Sequence, residues 1–156
     1  MNKEGLVPIA RRICPDLCRR QGWPTAFGLD CMDVPSDVEA DNVVAAARIP
    51  RVLALAVPTV VGEDPPSTLP AATALGIIEA SHELLAEAEH DGWRAYKHRD
   101  GWSHGPVRDD AARRHPCLVQ YDALSEEDKE KDRNSVRHYP DIVELAGCRI
   151  VWPLAR

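Results

Sequence analysis

Three side chains on one helical stretch are spaced to act together. His90, Trp93 and Lys97 stand at i, i+3 and i+7, so an imidazole, an indole and an ammonium share one helix face and would line one side of a cleft. Downstream come Gly105-Pro106-Val107-Arg108-Asp109-Asp110, a rigid turn followed by a guanidinium and two carboxylates, and then His115-Pro116-Cys117. Two of the four tryptophans (Trp93, Trp102) and four of the six histidines (His90, His98, His104, His115) fall between His90 and Arg133. Turn residues that alternate with aromatic and basic ones suit a shaped, polar concave surface better than a plain core.

Nucleophilic catalysis needs a base beside the nucleophile. Cys117 has His115 two residues away, and Ser103 adjoins His104, but neither stands in a nucleophile motif. Pro116 and Leu118 on either side of Cys117 point to packing. Asp109 and Asp110 could form a catalytic carboxylate pair, yet such pairs more often cap a turn and hold a nearby arginine. The chain is therefore read as non-catalytic. A metal site is not expected either. Cys14-x-x-x-Cys18 would put two thiols on one helix face, but no Cys-x-x-Cys pair occurs, and His82-Glu83-Leu84-Leu85-Ala86 ends in alanine where a zinc-binding helix needs its second histidine. No cofactor is called for.

Those candidates have to be positioned by helices. Residues 7–22 pattern as a helix with Ile9, Ile13 and Leu17 on one face and Gly22 as its stop, followed by an irregular stretch over 23–35. Ser36 or Asp37 can cap a helix from Val38 to about Arg48. Residues 49–69 are proline-rich and read as loop, with a short extended piece at Val52 to Val57. The longest helix is expected from Pro70 to Arg99, capped by Thr68, with Leu75, Ile78, Leu85, Ala88 and Gly92 on its inner face. Gly101 ends it. Turns and short extended pieces follow to Leu124, including a strand formed by Leu118, Val119 and Tyr121. Ser125 opens a charged helix to about His138, with Asp128 in place of the usual glutamate of a capping box. Its default is a solvated face with pairs such as Glu127 with Lys131, although Asp132 and Arg133 could reach back to the cleft rim. A short helix from Pro140 to Ala146, stopped by Gly147, and a strand from Cys148 to Trp152 complete the reading.

The length of 156 residues fits one domain with a real core, and the formal net charge of −6 argues against a general nucleic-acid binder, which needs surplus lysine and arginine. The most apolar run, Ile49 to Val61, is interrupted by Pro50, Arg51 and Pro58 and is too short to span a bilayer, so no membrane partner is expected. The five cysteines (Cys14, Cys18, Cys31, Cys117, Cys148) are odd in number and no long apolar run follows the start, which suggests free thiols and a cytoplasmic location.

The stretch from about Leu84 to Arg133 resembles the RyR domain, the repeat named after the ryanodine receptor and found also as small free-standing bacterial and phage proteins. The resemblance rests on His90-x-x-Trp93, Gly101-Trp102-x-x-Gly105-Pro106-x-Arg108-Asp109, His115-Pro116-Cys117-Leu118-Val119, Tyr121-x-x-Leu124 and the helix ending in Asp132-Arg133. It fades towards Ile150, and a fainter likeness covers Ile9 to Gly22. The sequence departs from the family pattern at Ala88, where many channel repeats have asparagine, and at His104, often tyrosine. The resemblance implies a single, mostly α domain, with a motif core over 84–150 and an N-terminal helical extension over 1–69 packed on it. It also implies a cleft for an adenine nucleotide or an ADP-ribose-type signal, with Trp93 and Arg108 as the main contacts. An indole face stacks on a base, and a guanidinium grips phosphate with two parallel bonds. Lys97 adds charge on the Trp93 face, and His90, His104, Cys117 and Trp102 complete the candidate ligand-binding set, although Trp102 also reads as core. The expected partner is thus a small nucleotide, bound for sensing or for sequestration, a phage sponge for a defence signal being one version. A nucleic-acid polymer is not expected, and self-association is left open. The alternatives are a protein-interaction module on the same fold and a nucleotide-processing enzyme.

Overall fold

The structure is a computed structural model that describes residues 36–56, 58–61, 69–145 and 148–151. The helix expected over 7–22, the irregular stretch after it, and Cys14, Cys18, Cys31, Thr68, Gly147 and Trp152 lie outside the described residues. The described part is mostly α, as expected, with five helices: α1 Ser36–Leu53, α2 Ala71–Ala80, α3 His82–Arg99, α4 Glu126–Arg137 and α5 Tyr139–Leu145. Four short strands accompany them: β1 Thr59–Val61, β2 Ser103–His104, β3 Arg114–His115 and β4 Arg149–Val151.

Helix α1 runs one turn beyond its expected end and carries Pro50 inside it. A proline there removes a backbone hydrogen bond at a cost of about 3 kcal/mol. Ile49, Val52 and Leu53 are all buried, and each buried aliphatic side chain contributes about 1.5–3 kcal/mol, so burial outweighs the broken bond. The extended piece expected at Val52 to Val57 is therefore helical at its start. The strand comes later, at Thr59–Val61, antiparallel to β4, with Val60 opposite Ile150. The single long helix expected over 70–99 is two. Ser81 leaves the helical region (φ −123°, ψ 15°) and its N–H turns back to the Ile78 carbonyl at 3.1 Å. The break sets α2 at its own angle, so that Ala74 and Ile78 reach the core shared with Leu85 of α3, Val136 of α4 and Tyr139, Ile142 and Val143 of α5.

Helix α3 ends where expected. Gly101 takes φ +83°, its N–H bonds to the His98 carbonyl at 3.0 Å and the Trp102 N–H bonds to the Lys97 carbonyl at 2.9 Å, the closed pattern that a left-handed residue permits at a helix end. The chain then loops out and returns: β2 and β3 pair in parallel, Ser103 with Arg114 and His104 with His115. Asp109 shapes this loop, exchanging backbone bonds with Arg114 and accepting the Ala112 N–H on its carboxylate at 2.9 Å. Leu118 and Val119 form no strand, and Tyr121–Ala123 is a 3₁₀ turn. Tyr121 and Leu124 are drawn instead into a second small core with Ala86, against which Cys117 and Val119 pack. Helix α4 begins as read: Ser125 Oγ accepts the Asp128 N–H at 3.1 Å and donates to its carboxylate at 2.8 Å. Of α4 only Val136 is buried, in keeping with its charge. No helix among the described residues is long and apolar enough to cross a membrane.

Candidate functional site

Helices α1, α3 and α4 and the loop carrying β2 and β3 enclose a cavity of about 520 Å³, within the range of small-molecule sites. Helix α3 supplies Glu89, His90, Trp93, Tyr96 and Lys97, which recur at the spacing of one helical face. The loop supplies Trp102, Arg108, His115 and Cys117; α4 supplies Asp128, Lys131, Asp132 and Ser135; α1 supplies Asp41, Ala45 and Arg48. Of the seven side chains expected from the sequence, Trp93, Lys97, Arg108, His90, Cys117 and Trp102 line it.

His104 does not. It sits exposed on β2, and its register partner His115 faces the cavity instead. Trp102 belongs to neither core cluster; it is a half-buried wall residue with the Lys97 ammonium 4.8 Å from its ring centre and its Nε1–H donating to Asp100 at 3.2 Å. The core role read for it is thus displaced by a place on the cavity wall. Cys117 packs as read, and its thiol is pushed up to about 11, first by burial and then by the carboxylate of Asp128. It forms part of the cavity wall.

His90 has no free nitrogen. Its Nε2–H donates to the Val119 carbonyl at 2.9 Å and Nδ1 lies 3.2 Å from Asp132 Oδ2, with the side chain only 2 % exposed. Burial opposes its charge, but the bonds to Asp132 and Val119 more than offset this, and its pKa is raised. The ring braces Trp93, with centroids 5.6 Å apart, and His115 also meets Trp93, edge-on at 5.1 Å. His115 Nδ1 accepts the Cys117 N–H at 3.1 Å, which leaves its Nε2 as the protonated nitrogen of a neutral ring. Burial, then Arg108 and Lys97, hold its pKa below the usual value.

The cavity mixes four carboxylates, Asp41, Glu89, Asp128 and Asp132, with four permanent cations, Arg48, Lys97, Arg108 and Lys131. Lys97 bonds Asp41 at 2.6 Å and Lys131 bonds Asp128 rather than Glu127, at 2.7 Å. Arg108 pairs with Asp110 at 2.8 Å, both heavily exposed. Such a pair is worth at most about 1 kcal/mol, so Arg108 can leave it for a ligand at little cost. Tyr96 is pushed up to about 12, first by burial and then by Asp41. Arg133 turns away from the cavity to Glu83, Glu126 and Glu130 on the outer face.

Asp132 reaches the cavity, as the sequence allows, whereas Glu89, Tyr96, His115, Asp128 and Lys131 are not among the expected contacts, although Glu89 and Tyr96 share the spacing that marks Trp93. Asp41 and Arg48 left no trace in the sequence, because 56 residues separate Asp41 from Lys97 and 41 separate Arg48 from Glu89. Among the described residues no cluster of histidine, cysteine and carboxylate side chains could hold a metal ion. A family model, the RyR domain, matches residues 75–151, from α2 to the end of β4.

Proposed function

Because residues 75–151 are a RyR domain, a ligand-binding or interaction module, we propose that the cavity binds a small nucleotide of the adenine or ADP-ribose type without turning it over, for sensing or sequestration. The observation that carries this is the placement of one braced indole and exposed cations on the wall of a single cavity. Trp93 packs against the rings of His90 and His115 and lines the cavity, so its indole is already ordered as a stacking partner for a base. Arg108 and Lys131, with side chains 64 % and 59 % exposed, stand at the outer end, where a phosphate can keep part of its hydration. The non-catalytic reading is supported by Cys117, whose thiol is pushed up, and by His115, whose Nδ1 is occupied by the Cys117 N–H.

The test is thermal melting with AMP, ADP-ribose and other common nucleotides, followed by calorimetry and mass spectrometry of the recovered nucleotide. A ligand at a hundred times its Kd stabilises the native state by about 2.7 kcal/mol, several degrees in a domain of this size. Recovery of the nucleotide intact is expected. No shift with any nucleotide would overturn the binding reading, and a hydrolysed product would overturn the non-catalytic one.

A further inference from the structure

Arg48 comes from α1, outside the matched segment, yet it forms part of the cavity wall. Its side chain is 12 % exposed, against 64 % for Arg108, so it belongs to the inner end. Two of its three nitrogens are satisfied by Glu89: Nε donates to Oε2 at 3.2 Å and Nη2 to Oε1 at 2.5 Å. Tyr139 also donates to Glu89 Oε2, at 2.7 Å, and fixes the carboxylate. The third nitrogen, Nη1, is fully buried and has no partner among the described residues. Native proteins rarely leave a buried donor unpaired, and Arg48 is a wall residue of this cavity, so a group entering there can supply the acceptor.

A second observation shows that the fold is shaped around this arginine. Gly92 sits in the middle of α3, where glycine weakens a helix. A Cβ at Gly92 would come within 2.3 Å of Arg48 Cδ and 3.2 Å of Nε. The glycine is the notch through which the arginine stem crosses α3 to reach Glu89.

We propose that Arg48 is a specificity-determining contact for the base, its Nη1 donating to an uncharged acceptor of that base, a ring nitrogen or a carbonyl oxygen. The proposal rests on the nucleotide reading of the cavity. The acceptor is uncharged because Glu89 already balances the guanidinium and Asp132 adds a second carboxylate close by, so this end of the cavity offers a donor without net positive charge. The phosphate belongs at the other end, with Arg108 and Lys131. The N-terminal helix, rather than the family's own segment, would then decide which base is accepted.

The experiment is calorimetry with adenosine, guanosine, cytidine and uridine and their 5′-monophosphates on the full chain and on Arg48→Lys, Gly92→Ala and Arg108→Ala. Arg48→Lys is expected to weaken the preferred nucleoside and its monophosphate alike by tenfold or more, because the lost bond is to the base. Gly92→Ala displaces the arginine stem while improving α3 as a helix, so it should weaken both ligands similarly with the helix content retained by circular dichroism. Arg108→Ala should weaken the monophosphate and spare the nucleoside. If the parent binds a nucleotide but Arg48→Lys and Gly92→Ala bind the nucleoside as tightly, the assignment of Arg48 is overturned and the nucleotide reading stands. It is also overturned if Arg48→Lys weakens only the monophosphate, which would make it a phosphate contact. If the parent binds ADP-ribose but none of the eight, Arg48→Lys and Gly92→Ala must weaken ADP-ribose by tenfold or more, or the assignment of Arg48 is overturned; if it binds neither the eight nor ADP-ribose, the nucleotide reading itself falls.

Discussion

Replacing Asp132 by asparagine tests whether a proton is held between α3 and α4. His90 Nε2 faces a carbonyl, which only accepts, so that nitrogen carries its hydrogen. The 3.2 Å contact between Nδ1 and Asp132 Oδ2 then needs one further proton, on the imidazole or on the carboxyl. An unfolded chain near neutrality holds neither, so the folded pair binds one proton more. Both groups reflect this: His90 is raised because its bonds to Asp132 and Val119 outweigh burial, and Asp132 is raised because burial outweighs the attraction of His90. The proton belongs to the pair, and the direction for the pair is upward. The stabilisation is fully present below about pH 6.5, where His90 is protonated in both states, and is lost as the pH rises through the folded value. One proton limits the slope to about 1.4 kcal/mol per pH unit. His115 works the other way. Its lowered pKa contributes stability that is present above about pH 6.5 and is lost as the pH falls through its folded value. Urea unfolding from pH 5.5 to 8.5 should therefore show parental stability greatest near pH 6.5. In Asp132→Asn the new amide can donate to Nδ1 of a neutral His90, so the bond survives and the fall on the alkaline side disappears, leaving the rise due to His115. If parent and variant lose stability equally above pH 6.5, no proton is held between His90 and Asp132.

Leu85 is fully buried where α2, α3 and α5 meet, so Leu85→Ala should cost about 2–5 kcal/mol by urea unfolding; a loss below about 1 kcal/mol would show that this core repacks freely. Trp102→Ala should cost only about 1–2 kcal/mol, because a half-buried ring contributes less than the 3–5 kcal/mol of a core tryptophan. A loss above about 4 kcal/mol would restore it to the core. Cys117, with its thiol at about 11, should stay unmodified by iodoacetamide at pH 7.5 while the chain is folded and react in urea, read by mass spectrometry of its peptide. Rapid labelling in the native state would contradict the burial that raises it. Ser125→Ala removes the bond to the Asp128 N–H and should cost about 0.5–2 kcal/mol in thermal melts; an unchanged melting temperature would mean that α4 starts without its cap.

Local chemistry decided what the sequence could decide alone. The stop at Gly101, the cap at Ser125, the charged α4 and the common face of His90, Trp93 and Lys97 each depend on residues within a turn or two of one another, and each lies where its pattern places it. The motif residues also pointed to a single concave surface, since turn and aromatic residues at those spacings fit nothing flatter. Whatever depended on burial did not follow from the pattern. Helix α1 continues through Pro50 only because Ile49, Val52 and Leu53 find a core, and the long helix breaks at Ser81, with Ala74 and Ile78 on one side of the break and Leu85 on the other meeting in one core. Tyr121 leaves the expected strand for the same reason. The cavity divides along this line. Trp93 and Arg108 are legible because the motif that holds them is continuous. Arg48 is not, because its partner Glu89 lies 41 residues away, and only the folded chain shows that Gly92 is the space through which it passes.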